Sequence, residues 1–187
     1  MFGRRTTVAM RDLLTGLDRV LNRIYTFAGA VAAGFLVLLA LCVALSILTR
    51  MAGLYVAGLT AYSGYAMAAS AFLALAYTFR EGGHIRVALL RNRLAGRARF
   101  AVEVWCLGVA SVFSVYLAWY LVRMTEISWQ FGDKSEGADA TPLWIPQSAL
   151  AVGASVMALA AVHALIKTLL TRDIDAPFSG PSQTLSE

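Results

Sequence analysis

The chain reads as an all-α integral membrane protein with four transmembrane helices, and three features carry that reading. Of its 187 residues 59% are hydrophobic and only 14% charged, and its mean hydropathy is +0.66. That is more apolar and less charged than soluble domains. Four runs, 24–48, 55–79, 100–122 and 143–170, have the ~20 mainly apolar residues needed to cross a bilayer. The charges gather between the runs, basic in some connectors and acidic in another.

Residues 1–23 precede the first span. Met10, Leu13, Leu14, Leu17 and Leu21 recur there at helical spacing, with Arg11, Asp12, Asp18, Arg19 and Asn22 mostly on other faces. This pattern fits an amphipathic helix lying in the inner leaflet, or an extension of the first transmembrane helix. No short apolar core with a small-residue cleavage pattern marks a secretory signal, so the first span is expected to stay as an anchor. Residues 24–170 form the transmembrane domain, and 171–187, polar and turn-rich with Pro177, Gly180 and Pro181, read as a flexible tail.

Orientation follows from charge. Arg4, Arg5, Arg11, Arg19 and Arg23 outweigh Asp12 and Asp18 before the first span, a net +3. The connector 80–99 holds six arginines against Glu81, a net +5, whereas 125–142 holds Glu126, Asp133, Glu136 and Asp139 against Lys134, a net −3. Short loops rich in Lys and Arg stay cytoplasmic, so both termini and 80–99 are expected inside and 125–142 outside. Arg50, between the first two spans, is the outward exception and can snorkel to headgroups. A pI near 9.6 can signal nucleic-acid binding, but topology explains basic residues that border spans, and no nucleic-acid partner is expected.

Small residues mark the surfaces where helices approach in lipid. Ala151, Ala154, Ala158 and Ala161 share a face of the fourth run, and Ala30 with Gly34, beside Gly29 and Ala33, do so in the first. They serve either packing within the chain or contact with a partner subunit. Cys42 and Cys106 fall at different depths, ~18 Å apart at 1.5 Å per residue, too far for a disulfide. Glu103 follows Arg99 by four residues and Glu126 follows Arg123 by three, spacings that suit ion pairs at the interface. No charge stands at mid-membrane, so an ion path, a catalytic constellation and a metal cluster all lack residues, and no enzymatic activity is expected. His84 and His163 both lie toward the cytoplasmic side. Paired histidines can ligate haem, which leaves a haem b-binding membrane anchor of a redox complex as the competing reading.

The connector carries a more specific signal. REGGHIRVALL, 80–90, follows a span ending ALAYTF and resembles the signature of the small (Q-type) permease subunit of tripartite ATP-independent periplasmic (TRAP) transporters. Arg80, Gly82, His84, Ile85 and Val87 occupy the motif positions. TPLWIPQSALAVG, 141–153, resembles the start of that family's fourth span, with Trp144 and Pro146 in place, and Arg50, at the end of the first span, matches an arginine common at that place in the family. The chain departs from the pattern at LTAYSGYAM, 59–67, where the family often carries acidic residues and a tryptophan.

The resemblance implies a subunit of a secondary transporter in the bacterial inner membrane that scaffolds and anchors a large permease subunit. The large subunit would hold the sodium and substrate sites, and a periplasmic solute-binding protein would deliver a small organic acid. No cofactor is implied for this subunit. Within the connector, Gly82 and Gly83 would permit a chain reversal, His84 would order the loop, and Ile85 and Val87 would rest on apolar surface. Arg86, Arg91, Arg93, Arg97 and Arg99 would meet phospholipid headgroups, each worth about 1 kcal/mol. Trp144 would mark headgroup level and Pro146 the first turn of the fourth helix.

Overall fold

The structure, a computed structural model, describes residues 3–54, 56–81, 96–137 and 139–171. Four helices make up the described chain: α1 Gly3–Met51, α2 Leu59–Arg80, α3 Gly96–Phe131 and α4 Trp144–Thr171. All four contain a stretch long and apolar enough to cross a membrane. The apolar stretches of α1 and α3 each run 34 residues, ~51 Å at 1.5 Å per residue. A ~30 Å hydrocarbon core leaves both tilted or projecting beyond it.

One boundary falls on one of two open readings and another differs from expectation. Of the two readings of the N-terminal segment, the continuous one holds, because residues 3–23 run into the first span without a break. The segment contains no proline, and its leucines keep helical phase into the span. The acidic connector is also shorter than expected, since α3 continues past Val122 to Phe131. Ser128 is buried there and no helix breaker occurs before Gly132.

Glycines end both long helices by the same device. Gly53 has φ 71° and Gly132 φ 64°. Leu54 N–H donates to the Thr49 carbonyl at 2.9 Å and Gly53 N–H to that of Arg50 at 3.1 Å. Asp133 N–H likewise donates to the Ser128 carbonyl at 3.1 Å. This is the Schellman closure, in which a left-handed residue lets late carbonyls find donors. Pro146 is tolerated in the first turn of α4, where its missing N–H costs no intrahelical bond.

The helices form an open row rather than a closed bundle. α2 and α4 pack at its centre, α1 packs against α2, and α3 packs against α4. Small side chains make the central seam: Ala66, Ala69, Ser70 and Ala76 of α2 are buried, as are Ala151, Ala154, Ala158 and Ala161 of α4. Gly153 brings the backbones closest, since a Cβ there would lie 2.6 Å from the Phe72 carbonyl carbon. The α4 stripe is therefore an internal packing face. On α1 the phase differs from the expected stripe, because Leu21, Tyr25, Ala28 and Ala32 turn inward while Ala30, Ala33 and Gly34 are exposed. Gly29 alone of that group meets α2, against the Tyr77 ring. Both cysteines are free.

Candidate functional site

Polar contacts concentrate at the two ends of the row. At one end Arg80, in the last turn of α2, reaches back to α1. Its Nη1 donates to the Asn22 carbonyl at 3.2 Å and to Thr26 Oγ1 at 3.4 Å, and its Nη2 donates to Glu81 Oε1 at 2.8 Å. The guanidinium also lies 5.6 Å from the centroid of the Tyr77 ring, within cation–π range. With its side chain only 12% exposed, Arg80 is a staple between α1 and α2. Replacing it with alanine should destabilise the chain by about 2 kcal/mol, the range of hydrogen bonds to a charged group. Arg80→Lys should restore only part of that, since one ammonium cannot reproduce the planar fork. Thermal unfolding in detergent of the three proteins checks the order.

The same end joins α1 to α4. Asp18 Oδ1 lies 2.9 Å from His163 Nε2, and Asp18 Oδ2 accepts from Lys167 Nζ at 3.0 Å. One carboxylate thus faces two basic groups a helical turn apart, each about one-fifth exposed. His163 stands at ion-pair distance from Asp18 across the α1–α4 junction. Asp18 was visible in the sequence only as an acid among the arginines before the first span. Its partners lie 145 and 149 residues further on, and no local pattern announces them.

At the other end, the 132–143 loop folds onto the start of α2. Ser135 N–H donates to the Thr141 carbonyl at 2.8 Å and Leu143 N–H to the Asp133 carbonyl at 3.0 Å, closing a small antiparallel bridge. Inside this turn Asp139 accepts from Tyr65 Oη at 3.2 Å, Ser135 Oγ at 3.1 Å and Thr141 N–H at 3.4 Å. These bonds, that from Thr141 foremost, hold the carboxyl below the usual aspartate range, so it is ionised at neutral pH. Thr141 Oγ1 donates to Tyr62 Oη at 3.2 Å. Trp129, near the end of α3, and Trp144, at the start of α4, meet edge to face with centroids 4.6 Å apart. The LTAYSGYAM stretch, where the chain departs from the family pattern, thus supplies Tyr62 and Tyr65 to receive the loop.

Gly58 makes that approach possible. It caps α2 with φ 89°, and a Cβ there would stand 3.0 Å from Asp139 Cβ and 3.3 Å from Tyr62 Cε2. Gly58→Ala should cost about 1–2 kcal/mol from the left-handed backbone alone and lift the loop from Tyr65. Faster proteolytic cleavage within 132–143 than in the parent chain is the expected readout.

Of the motif residues, Arg80, Trp144 and Pro146 are placed as described. Gly82, His84, Ile85, Val87, Arg86, Arg91 and Arg93 lie outside the described residues, as does the tail beyond residue 171. Arg97 and Arg99 fall in the first turn of α3, and Arg99 is half-buried. Arg50 is exposed in the last turn of α1. Glu126 receives Gln130 Nε2 at 3.5 Å, one turn on, instead of the expected Arg123.

Four apolar helices whose polar contacts sit at their ends, with no group of metal-ligating side chains among the described residues, define a multi-pass helical membrane protein. Residues 39–171 match the family described as tripartite ATP-independent periplasmic transporters, DctQ component, and the chain belongs to that family. It is a small membrane component of a TRAP transporter. The matched segment contains Arg50, the 80–99 connector and the 141–153 motif, whereas Asp18, Asn22 and Thr26 lie before it. No curated protein and no solved structure matches the chain.

Proposed function

We propose that the chain is the stationary scaffold and anchor of a large permease subunit, which carries the sodium and substrate sites for uptake of a small organic acid handed over by a periplasmic binding protein. The open helix row is the observation that carries this reading. Its flanks expose long apolar faces, including Leu36, Leu41 and Leu45 on α1 and Phe113, Tyr116 and Trp119 on α3. Its longer-range polar contacts, meanwhile, join parts of the chain to one another at the helix ends. Such a part enlarges a membrane body and supplies no ion path. In the proposed orientation the Arg80 end faces the cytoplasm of a bacterial inner membrane and the Asp139 end the periplasm, with the connector arginines on anionic headgroups.

Affinity purification of the tagged chain from its native membrane is expected to bring down a many-span protein at near-equal stoichiometry, and deletion of the chain to abolish organic-acid uptake. Recovery of the chain alone, with uptake intact in the deletion strain, would sink the proposal. Orientation is checked with Ser135→Cys, which should react with a membrane-impermeant maleimide added outside spheroplasts.

A further inference from the structure

A cleft opens where the last turn of α1, the first turn of α2 and the 132–143 loop converge. It holds about 180 Å3 and is lined by Ser46, Thr49, Arg50, Thr60, Ala61 and Asp139, among others. We propose that this cleft binds a lipid headgroup carrying both a phosphate and a primary ammonium, with the phosphate on Arg50 and the ammonium on Asp139.

An arginine and an aspartate that line one cleft favour a zwitterion over a simple anion or cation. Arg50 is exposed, and no carboxylate lies within ion-pair distance of it among the described residues. Its planar fork suits two phosphate oxygens at once. Beside it, the N–H groups of Thr60 and Ala61 precede the first bond of α2, from Tyr62 N–H to the Gly58 carbonyl at 2.9 Å. Gly58 provides no side-chain cap and the first turn holds no acid, so these donors add to the positive wall. Across the cleft, the Asp139 carboxylate is held within its own loop but carries its negative charge on the lining of the cleft, and an ammonium can donate a hydrogen to it, which a trimethylammonium cannot.

Size and depth agree. At ~10–15 Å3 of cavity volume per water, the cleft's 180 Å3 leaves ample room for a phosphate joined through two carbons to an ammonium. It lies at the ends of the spans, on the side of the Trp129–Trp144 pair, and tryptophans gather at headgroup level.

The test is native mass spectrometry of the 187-residue chain released from detergent after incubation with phosphatidylethanolamine, phosphatidylcholine or phosphatidylglycerol. Phosphatidylethanolamine should be retained about tenfold better than the other two, as expected for one added charge-assisted hydrogen bond. Arg50→Gln should abolish most of that retention, and Asp139→Asn should bring phosphatidylethanolamine down to the level of phosphatidylcholine. Because Asp139 also orders its own loop, Arg50→Gln is the decisive variant, its exposed side chain having no such duty. Equal retention of the three lipids, or undiminished retention by Arg50→Gln, would overturn the proposal. Soluble phosphoethanolamine in the same assay separates the sources. Failure to displace the lipid supports a membrane-anchored ligand, whereas binding of the soluble compound with no lipid retained would overturn the lipid assignment. Neither result depends on the large subunit, so failure here leaves the scaffold reading standing.

Discussion

Gly153→Val is expected to separate α4 from α2 and to destabilise the chain by more than about 3 kcal/mol. The position is buried in the central seam, and the missing Cβ would lie 2.6, 2.7 and 2.8 Å from the Phe72 carbonyl carbon, its oxygen and the Leu73 nitrogen. These are backbone atoms within α2 and cannot swing aside as a side chain would, so the whole helix must move. Overpacking typically costs about 1–3 kcal/mol, and Gly153→Ala should fall in that range. Valine adds two methyl groups to the same contact and should exceed it. Helix propensity predicts the opposite, because glycine in a helix is about 1 kcal/mol worse than alanine. Gly34→Ala supplies the control: a Cβ there meets nothing within 4 Å, so it should be neutral or slightly stabilising. Unfolding of the three variants in mixed micelles of increasing SDS fraction checks the order. Equal midpoints for Gly153→Ala and Gly34→Ala would show that the α2–α4 approach is looser than described.

The contrast between these two glycines bears on what could be read in advance. Hydropathy located all four spans because burial in lipid demands length and apolarity, and both are local properties. The face of a helix is a weaker signal when nearly every residue is apolar. In α4 the alanines at 151, 154, 158 and 161 stood out and are buried. In α1 the small residues at 30 and 34 stood out equally and are exposed, while Ala28 and Ala32 pack inside. Small size permits close approach on any face, and only the position of a neighbouring helix selects one. The polar ends were less legible still. Arg80 was singled out by its motif, but its bonds to Asn22 and Thr26 cross more than fifty residues. Tyr62 and Tyr65 carried no mark until the loop with Asp139 was seen to land on them.

Loss of the Asp18 carboxylate is expected to weaken the α1–α4 junction through the charges it leaves behind. His163 and Lys167 each lie within 3.0 Å of one of its oxygens, and both belong to the C-terminal half of α4. In Asp18→Asn the Lys167 ammonium, 21% exposed, would keep its desolvation cost and lose the 3.0 Å contact with the Asp18 carboxylate. Breaking a fully buried pair costs about 3–5 kcal/mol, and exposed pairs are worth up to about 1 kcal/mol, so this partly buried junction should lose about 1–3 kcal/mol. The sign of the mechanism shows in the second substitution. Asp18→Asn with Lys167→Met removes the charge as well as its partner and should recover most of the loss, while Lys167→Met alone should cost less than Asp18→Asn. A coupling of at least about 1 kcal/mol in this double-mutant cycle, measured by the same SDS titration, is expected of residues in direct contact. Additive effects would mean that the 3.0 Å contact between α1 and α4 contributes nothing to holding the N-terminal third of α1 against the row.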